Sequence, residues 1–301
     1  MYVLMGANGN ITSKVAKRLL DQGKRVRVIG RDAGRLRPLK DAGAETAIGS
    51  ALAARFLTDA FRGADAVYTM IPSDYTTSDH RGHQNAVGKM IAQGIVDSGV
   101  KVVVSLSSAG ASLPDGTGPI AGLHDQEQRL DKLTGVDIVH LRPGYFMENH
   151  LQALDIIKAT GVYPDMIAPD VPFPMIATED IAAVVAKELM QPTFKGHVVR
   201  HLLGPRSLTM TEATRILGAA IDKPDLEYVQ ADPAQAKAGM VQHGFSENLA
   251  DLIEEMSRFL SSGRVNDTFT RDAASSTPTT LESFARGFAR AYTRAGAQGG
   301  M

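Results

Sequence analysis

The stretch YVLMGANGNITSKVAKRLL, residues 2–20, decides the fold. Tyr2 to Ala7 is a short apolar run that reads as a strand. Val15, Ala16, Leu19 and Leu20 then recur at helical spacing, and Gly23 follows as a helix stop. Between strand and helix stands Gly6-Ala-Asn-Gly9-Asn-Ile-Thr12. Gly6 permits a tight turn and Gly9 lets backbone approach a pyrophosphate. The helix start beyond offers unpaired N–H groups and the positive end of the helix dipole to phosphates. The spacing is GxxGxxT, so Thr12 fills the third small position and weakens the expected close packing of helix on strand. The plainer alternative is an ordinary glycine-rich turn of a doubly wound protein.

Outward from this unit the same alternation repeats. Further strands are expected at Arg25 to Gly30, Glu45 to Gly49, Asp65 to Ile71, Lys101 to Ser107 and Asp137 to Pro143. Helices are expected at Arg35 to Asp41, Ala51 to Phe61, Asn85 to Ser98 and Leu123 to Leu133. Repeated βαβ units imply an α/β, doubly wound parallel sheet. After about residue 150 the rhythm changes. The segment Gly161 to Pro174 is proline-rich, Glu179 to Met190 is a strong helix, and His197 to Leu203 reads as a strand returning to the sheet. Helices follow at Thr211 to Ile221, Asn248 to Phe259 and Leu281 to Tyr292. The expected organisation is a dinucleotide-binding domain over residues 1–150, rejoined by 176–204. A smaller, mostly helical substrate or cap part comprises 151–175 and 205–301, and it leans over the carboxyl edge of the sheet.

Composition narrows the function. The 32 basic and 33 acidic residues leave a net charge of −1, which gives no electrostatic reason to expect nucleic acid or a membrane as partner. Zero Cys excludes disulfides, a thiolate nucleophile and thiolate metal sites, and suits a reducing compartment. The first residues lack the pattern of a secretory signal, so the cytoplasm is the expected location and a small molecule the expected partner.

At the end of the second strand, about 20 residues beyond Gly9, a carboxylate would hold the ribose 2′-hydroxyl of NAD. Gly30-Arg31 stands there instead. Arg31, backed by Arg35 one turn later, offers donors suited to a 2′-phosphate, so NADP(H) is expected over NAD. The alternative is that Arg31 is a solvated loop residue.

These residues resemble the NmrA-like branch of the atypical short-chain dehydrogenases. The likeness runs through GANGNIT and SKVAKRLL, VIGR at the second strand, GADAVYTMIP at the fourth and VVVSLSSAGA at the fifth. It continues through LRPGYFMENHL, IATEDIAAVVAKEL, GPRSLTMTEATRILGAAI and TPTTLESFARGFARAY. That branch includes NADPH-dependent quinone reductases, triphenylmethane-dye reductases and a dinucleotide-sensing regulator. The resemblance implies Gly6, Asn8, Gly9, Asn10 and Ile11 under the pyrophosphate and Arg31 at the adenosine phosphate. It implies Met70, Ile71 and Pro72 along the ribose and nicotinamide, with Ser107 at the end of the fifth strand. Ser50 departs from the acidic residue common in relatives.

Typical short-chain dehydrogenases use a Tyr and, four residues later, a Lys that lowers the phenol pKa. Here His124 takes the Tyr place and Gln128 the Lys place. His124 is either a general acid or a surface residue at a helix start. Without the pair, alcohol-to-ketone chemistry is disfavoured. Hydride transfer to a quinone-like or other conjugated acceptor is less demanding, because the acceptor delocalises the incoming electrons. The expected function is therefore an NADPH-dependent reductase of such acceptors, and the alternative is a non-catalytic dinucleotide sensor acting through a protein partner. Tyr145, Phe146 and Asn149, near His150, would contact a flat substrate or belong to a core. Asp79, His80 and His83 read as a solvated helix start, with no metal expected. Glu179 and Asp180 read as N-terminal capping residues.

Overall fold

A computed structural model describes residues 1–7 and 9–298. In chain order the first half runs β1 (Tyr2–Met5), α1 (Asn10–Asp21), β2 (Val26–Gly30), α2 (Ala33–Asp41), β3 (Glu45–Ile48), α3 (Ala54–Phe61) and β4 (Ala66–Thr69). It continues with α4 (His80–Ser98), β5 (Val102–Leu106), α5 (Ala121–Leu130), β6 (Asp137–Pro143) and β7 (Tyr145–Phe146). Then follow α6 (Leu154–Thr160), β8 (Val162–Asp165), β9 (Phe173–Ile176), α7 (Thr178–Met190), β10 (His197–Leu202), β11 (Ser207–Leu208) and α8 (Met210–Ala220). The chain closes with β12 (Glu227–Gln230), α9 (Pro233–Gln242), α10 (Glu247–Ser261) and α11 (Leu281–Gln298). Helix α4 begins five residues before the expected Asn85 because Asp79 caps it, its carboxylate accepting from Gly82 N at 2.8 Å.

Seven strands pair in parallel in the order β10-β6-β5-β4-β1-β2-β3. The order reverses between β1 and β4, and that switch opens a crevice at the carboxyl ends of those strands. Strand side chains alternate between two cores. Leu4, Tyr68, Val104 and Val139 pack under α1 and α7, whereas Val3, Met5, Val67, Val103 and Ile138 pack under α3, α4 and α5. Both faces are covered, which explains why these strands read as continuous apolar runs. Each such side chain, nearly or wholly removed from water, contributes roughly 1.5–3 kcal/mol.

The remaining segments gather round a third core containing Tyr163, Phe173, Leu217, Phe259 and Phe288. This part is mostly helical, with α6 and α8 to α11, and carries short strands as well. It holds a three-stranded sheet β11-β9-β7 and a two-stranded sheet β12-β8. Helix α10 packs against the turn Gly118–Ile120 that precedes α5 so closely that a Cβ on Gly118 would meet Leu252 O at 2.0 Å. The cap is thus pressed onto the carboxyl edge of the sheet.

Candidate functional site

Gly6 ends β1 with φ +72°, a left-handed conformation, and a Cβ there would lie 2.8 Å from Met70 Sδ. Both observations call for glycine. Gly9 caps α1 with backbone alone, and no acidic residue occupies the first turn. The N–H groups of Asn10, Ile11 and Thr12 therefore stand at the helix start without intrahelical partners. A cradle lacking side chains, at a helix N-terminus beside the sheet's switch point, fits a dinucleotide pyrophosphate. Asn8 lies outside the described residues. Thr12 does not loosen the packing as expected. It is 2% exposed and its hydroxyl donates to Met5 O at 2.9 Å, tying α1 to β1.

Beyond β2, Arg31 is exposed and makes no hydrogen bond or ion pair among the described residues. Asp32, the carboxylate next to it, accepts from Gly34 N at 2.7 Å and Arg35 N at 3.1 Å as the cap of α2. The acid is engaged in holding the helix and stands 4.0 Å from Arg35 Nε, while Arg31 extends into solvent. Ser50 Oγ accepts from Leu52 N at 3.2 Å, a local turn contact.

Met70, Ile71 and Pro72 leave β4 beside Gly6, with Met70 forming the wall that the glycine admits. Ser107 follows β5, but its hydroxyl turns inward to Glu127, whose carboxylate also takes Arg142 Nε at 2.9 Å. That side chain belongs to a buried polar network. Only its backbone stands at the strand end.

His124 lies half-buried on α5, with Nδ1 2.9 Å from Ala111 O. A carbonyl accepts only, so the ring donates from Nδ1, and Nε2 has no hydrogen-bond partner among the described residues. Gln128, one turn later, is exposed. One turn earlier, Ile120 lines a cleft of about 160 Å³ between the carboxyl edge and α10. Tyr145, Phe146 and Asn149 line the same cleft, opposite Phe173 and Met256. Tyr145 packs edge-on to Phe173 at 5.5 Å. Burial pushes its phenol well above the ordinary value. Behind the cleft, His150 is fully buried with Nδ1 2.6 Å from Tyr163 Oη, and burial pulls its imidazole down to about 4.

Sequence reasoning missed what holds the cleft segment. Glu148 accepts from Thr178 N at 3.0 and 3.1 Å and from Lys14 Nζ at 3.2 Å, while Lys14 Nζ also donates to Thr178 Oγ1 at 2.6 Å. The residues after β7 are thereby lashed to α1 and to the start of α7. This corrects the capping expectation. Glu148, from outside the helix, accepts at the N-terminus of α7, and Glu179 pairs with Arg18. Asp180 accepts from Thr279 N at 2.9 Å and Oγ1 at 2.7 Å, fastening the C-terminal segment to the sheet domain. Asp79 is a cap as expected, but His80 is 3% exposed rather than solvated, with Nδ1 3.2 Å from Asp74 O. Among the described residues no group of three His, Cys, Asp or Glu is placed to hold a metal ion. Nor is any helix there long and apolar enough to cross a membrane.

Fold and glycine turn together define a doubly wound protein of the Rossmann class. The sequence profile of the NmrA-like family matches residues 2–285, and the chain belongs to that family. It is similar to the NAD(P)H azoreductase of Xenophilus azovorans, 28% identical over 256 residues, covering 85% of this chain and 86% of that one. Among solved structures it resembles the triphenylmethane reductase of Citrobacter sp. complexed with NADP(H), with a TM-score of 0.80 at 18% identity, covering 96% of this chain and 100% of that one. It also resembles an NADPH-dependent quinone oxidoreductase of Escherichia coli complexed with NADPH, with a TM-score of 0.78 at 20% identity, covering 95% and 99%.

Proposed function

We propose that this protein is an NADPH-dependent oxidoreductase that delivers hydride to a quinone-like or other conjugated small molecule. The observation that carries the reading is the apposition of two sites. A backbone cradle at Gly6 and Gly9 opens at the switch point, and an aromatic cleft lies along the same carboxyl edge under α10. When bound, the dinucleotide supplies the hydride. Asn10 and Ile11 hold the pyrophosphate with backbone N–H groups, and Arg31, with Arg35 behind it, receives the 2′-phosphate. Met70, Ile71 and Pro72 flank the ribose and nicotinamide. Tyr145, Phe146 and Asn149 orient the acceptor, and the cap excludes water. The names of the similar proteins, reductases that use NADPH or NAD(P)H, support the same reading.

His124, one turn beyond the cleft residue Ile120 and outside the lining itself, supplies the proton from Nε2 by way of water to an acceptor atom that becomes basic as hydride arrives. Gln128 has no charge with which to assist a neighbouring acid, so the device of the typical short-chain enzymes is replaced rather than repeated. NADPH oxidation against quinones, azo compounds, aldehydes and imines, with products identified, tests the proposal. Turnover with the conjugated compounds is expected. Dinucleotide binding with no turnover of any acceptor and a captured protein partner would favour a sensor instead. His124→Ala is expected to lower kcat by up to about 100-fold for carbonyl acceptors and by less for quinones, where water substitutes as proton source, with NADPH affinity unchanged.

A further inference from the structure

The cleft under α10 has a chemical bias that hydride transfer alone does not demand. Its walls come from the ends of β5 and β6, from β7, from β9 and from α10, and they include Tyr145, Phe146, Phe173, Met256 and Leu260. No Asp, Glu, Lys, Arg or His is among its described lining residues. Its polar side chains are few and neutral: Ser108, whose Oγ donates to Ala109 O at 3.1 Å, the Tyr145 hydroxyl and the Asn149 amide. Arg264 lies outside the lining, its guanidinium 5.9 Å from the centre of the Phe259 ring. The volume, about 160 Å³, is close to the roughly 150 Å³ of an apolar cavity that takes a single benzene ring.

We infer that the cleft admits one ring of an uncharged planar acceptor and rejects compounds with an anionic substituent on that ring. The physical reason is desolvation. A sulfonate or phosphate carried into this cleft loses water and meets no cationic side chain of the lining, whereas an uncharged ring exchanges water for aromatic and thioether contacts. The discrimination expected is on the order of 100-fold or more in affinity. Use of the ring as an acceptor rests on the reductase reading above. The binding preference does not, so the two are tested apart.

The test is isothermal titration calorimetry of the full chain saturated with 1,4,5,6-tetrahydro-NADP, whose nicotinamide ring is uncharged and cannot give hydride. The ligands are a neutral naphthoquinone and the same naphthoquinone bearing a ring sulfonate. The neutral compound is expected to bind about 100-fold tighter. Met256→Lys, which places an ammonium on the α10 wall, is expected to tighten sulfonate binding at least about tenfold by supplying the missing partner. Equal affinities in the unmodified protein, or no binding of either compound, would overturn the inference. A neutral quinone that binds selectively but leaves NADPH unoxidised in a parallel assay supports the binding preference and removes the reductase reading.

Discussion

The two halves of the proposed active site are built from opposite materials. On the sheet side the cradle is backbone: a left-handed glycine, a helix start with no side-chain cap, and a strand end whose methionine fits only because Gly6 lacks a Cβ. On the cap side the cleft is side chain: aromatic rings, a thioether, and a few neutral polar groups. The contrast matches what each side has to recognise. A pyrophosphate is the same in every dinucleotide and is met by fixed N–H groups, whereas an acceptor is distinguished by shape and charge, which side chains set. The Lys14, Glu148 and Thr178 contacts join the two, so the segment that shapes the cleft is held from α1, the helix that starts at the cradle.

The largest expected effect tests the packing of the cap side. Burial holds the His150 imidazole neutral, with a folded value of about 4 against 6.5 for the free group. Between these values the unfolded chain binds the extra proton. Stability is therefore full above about pH 6.5 and falls as pH drops toward 4, by about 3 kcal/mol in all. Asp165 runs the other way, because burial raises its carboxyl. Its contribution is present at low pH and declines as pH rises above its unfolded value. Urea unfolding across this range is expected to show the loss, and His150→Gln to flatten it. A profile unchanged by the substitution would mean the ring is not held neutral in a dry core.

Gly6→Val tests the backbone side. A β-branched residue at φ +72° costs at least about 1–2 kcal/mol in strain, and its Cβ collides with Met70. NADPH affinity measured by calorimetry is expected to fall about 100-fold, strain and lost cradle together. An affinity near that of the unmodified protein would show that the cofactor is held elsewhere. The smallest effect concerns the exposed end of the same side. Arg31→Ala is expected to weaken NADPH by up to about fivefold and leave NADH unchanged, because a solvated guanidinium gains little from one ion pair. Equal losses for both dinucleotides would sharpen the comparison by assigning discrimination to backbone as well.

The sheet half was largely legible because its contacts are local in sequence and both sheet faces are covered. Each strand is followed within a few residues by its helix, and the faces appear as Val and Ile runs. The cap half was less legible for the opposite reason. Strand β8 pairs with β12, and two-residue β7 and β11 flank β9, so no short window contains a complete periodic signal. Asp180 illustrates the limit. An acid in the first turn of a helix satisfies a capping rule, yet its partner is Thr279, 99 residues away. Ser107 illustrates another, since a strand end locates the backbone but not the direction of a hydroxyl. One cap element did carry a readable signal: Thr209 and Glu212 have the spacing of a capping box and form one at the start of α8.

Whether the two sides face one reaction is read from single-turnover oxidation of bound NADPH. The protein is loaded with one equivalent of NADPH, mixed with excess neutral quinone, and the reduced-nicotinamide absorbance is followed while hydroquinone is quantified. The prediction is complete loss of the signal with one hydroquinone formed per NADPH, slowed in His124→Ala without loss of bound cofactor. NADPH that stays bound and reduced in the presence of quinone would contradict the claim and leave a dinucleotide-binding protein without this chemistry.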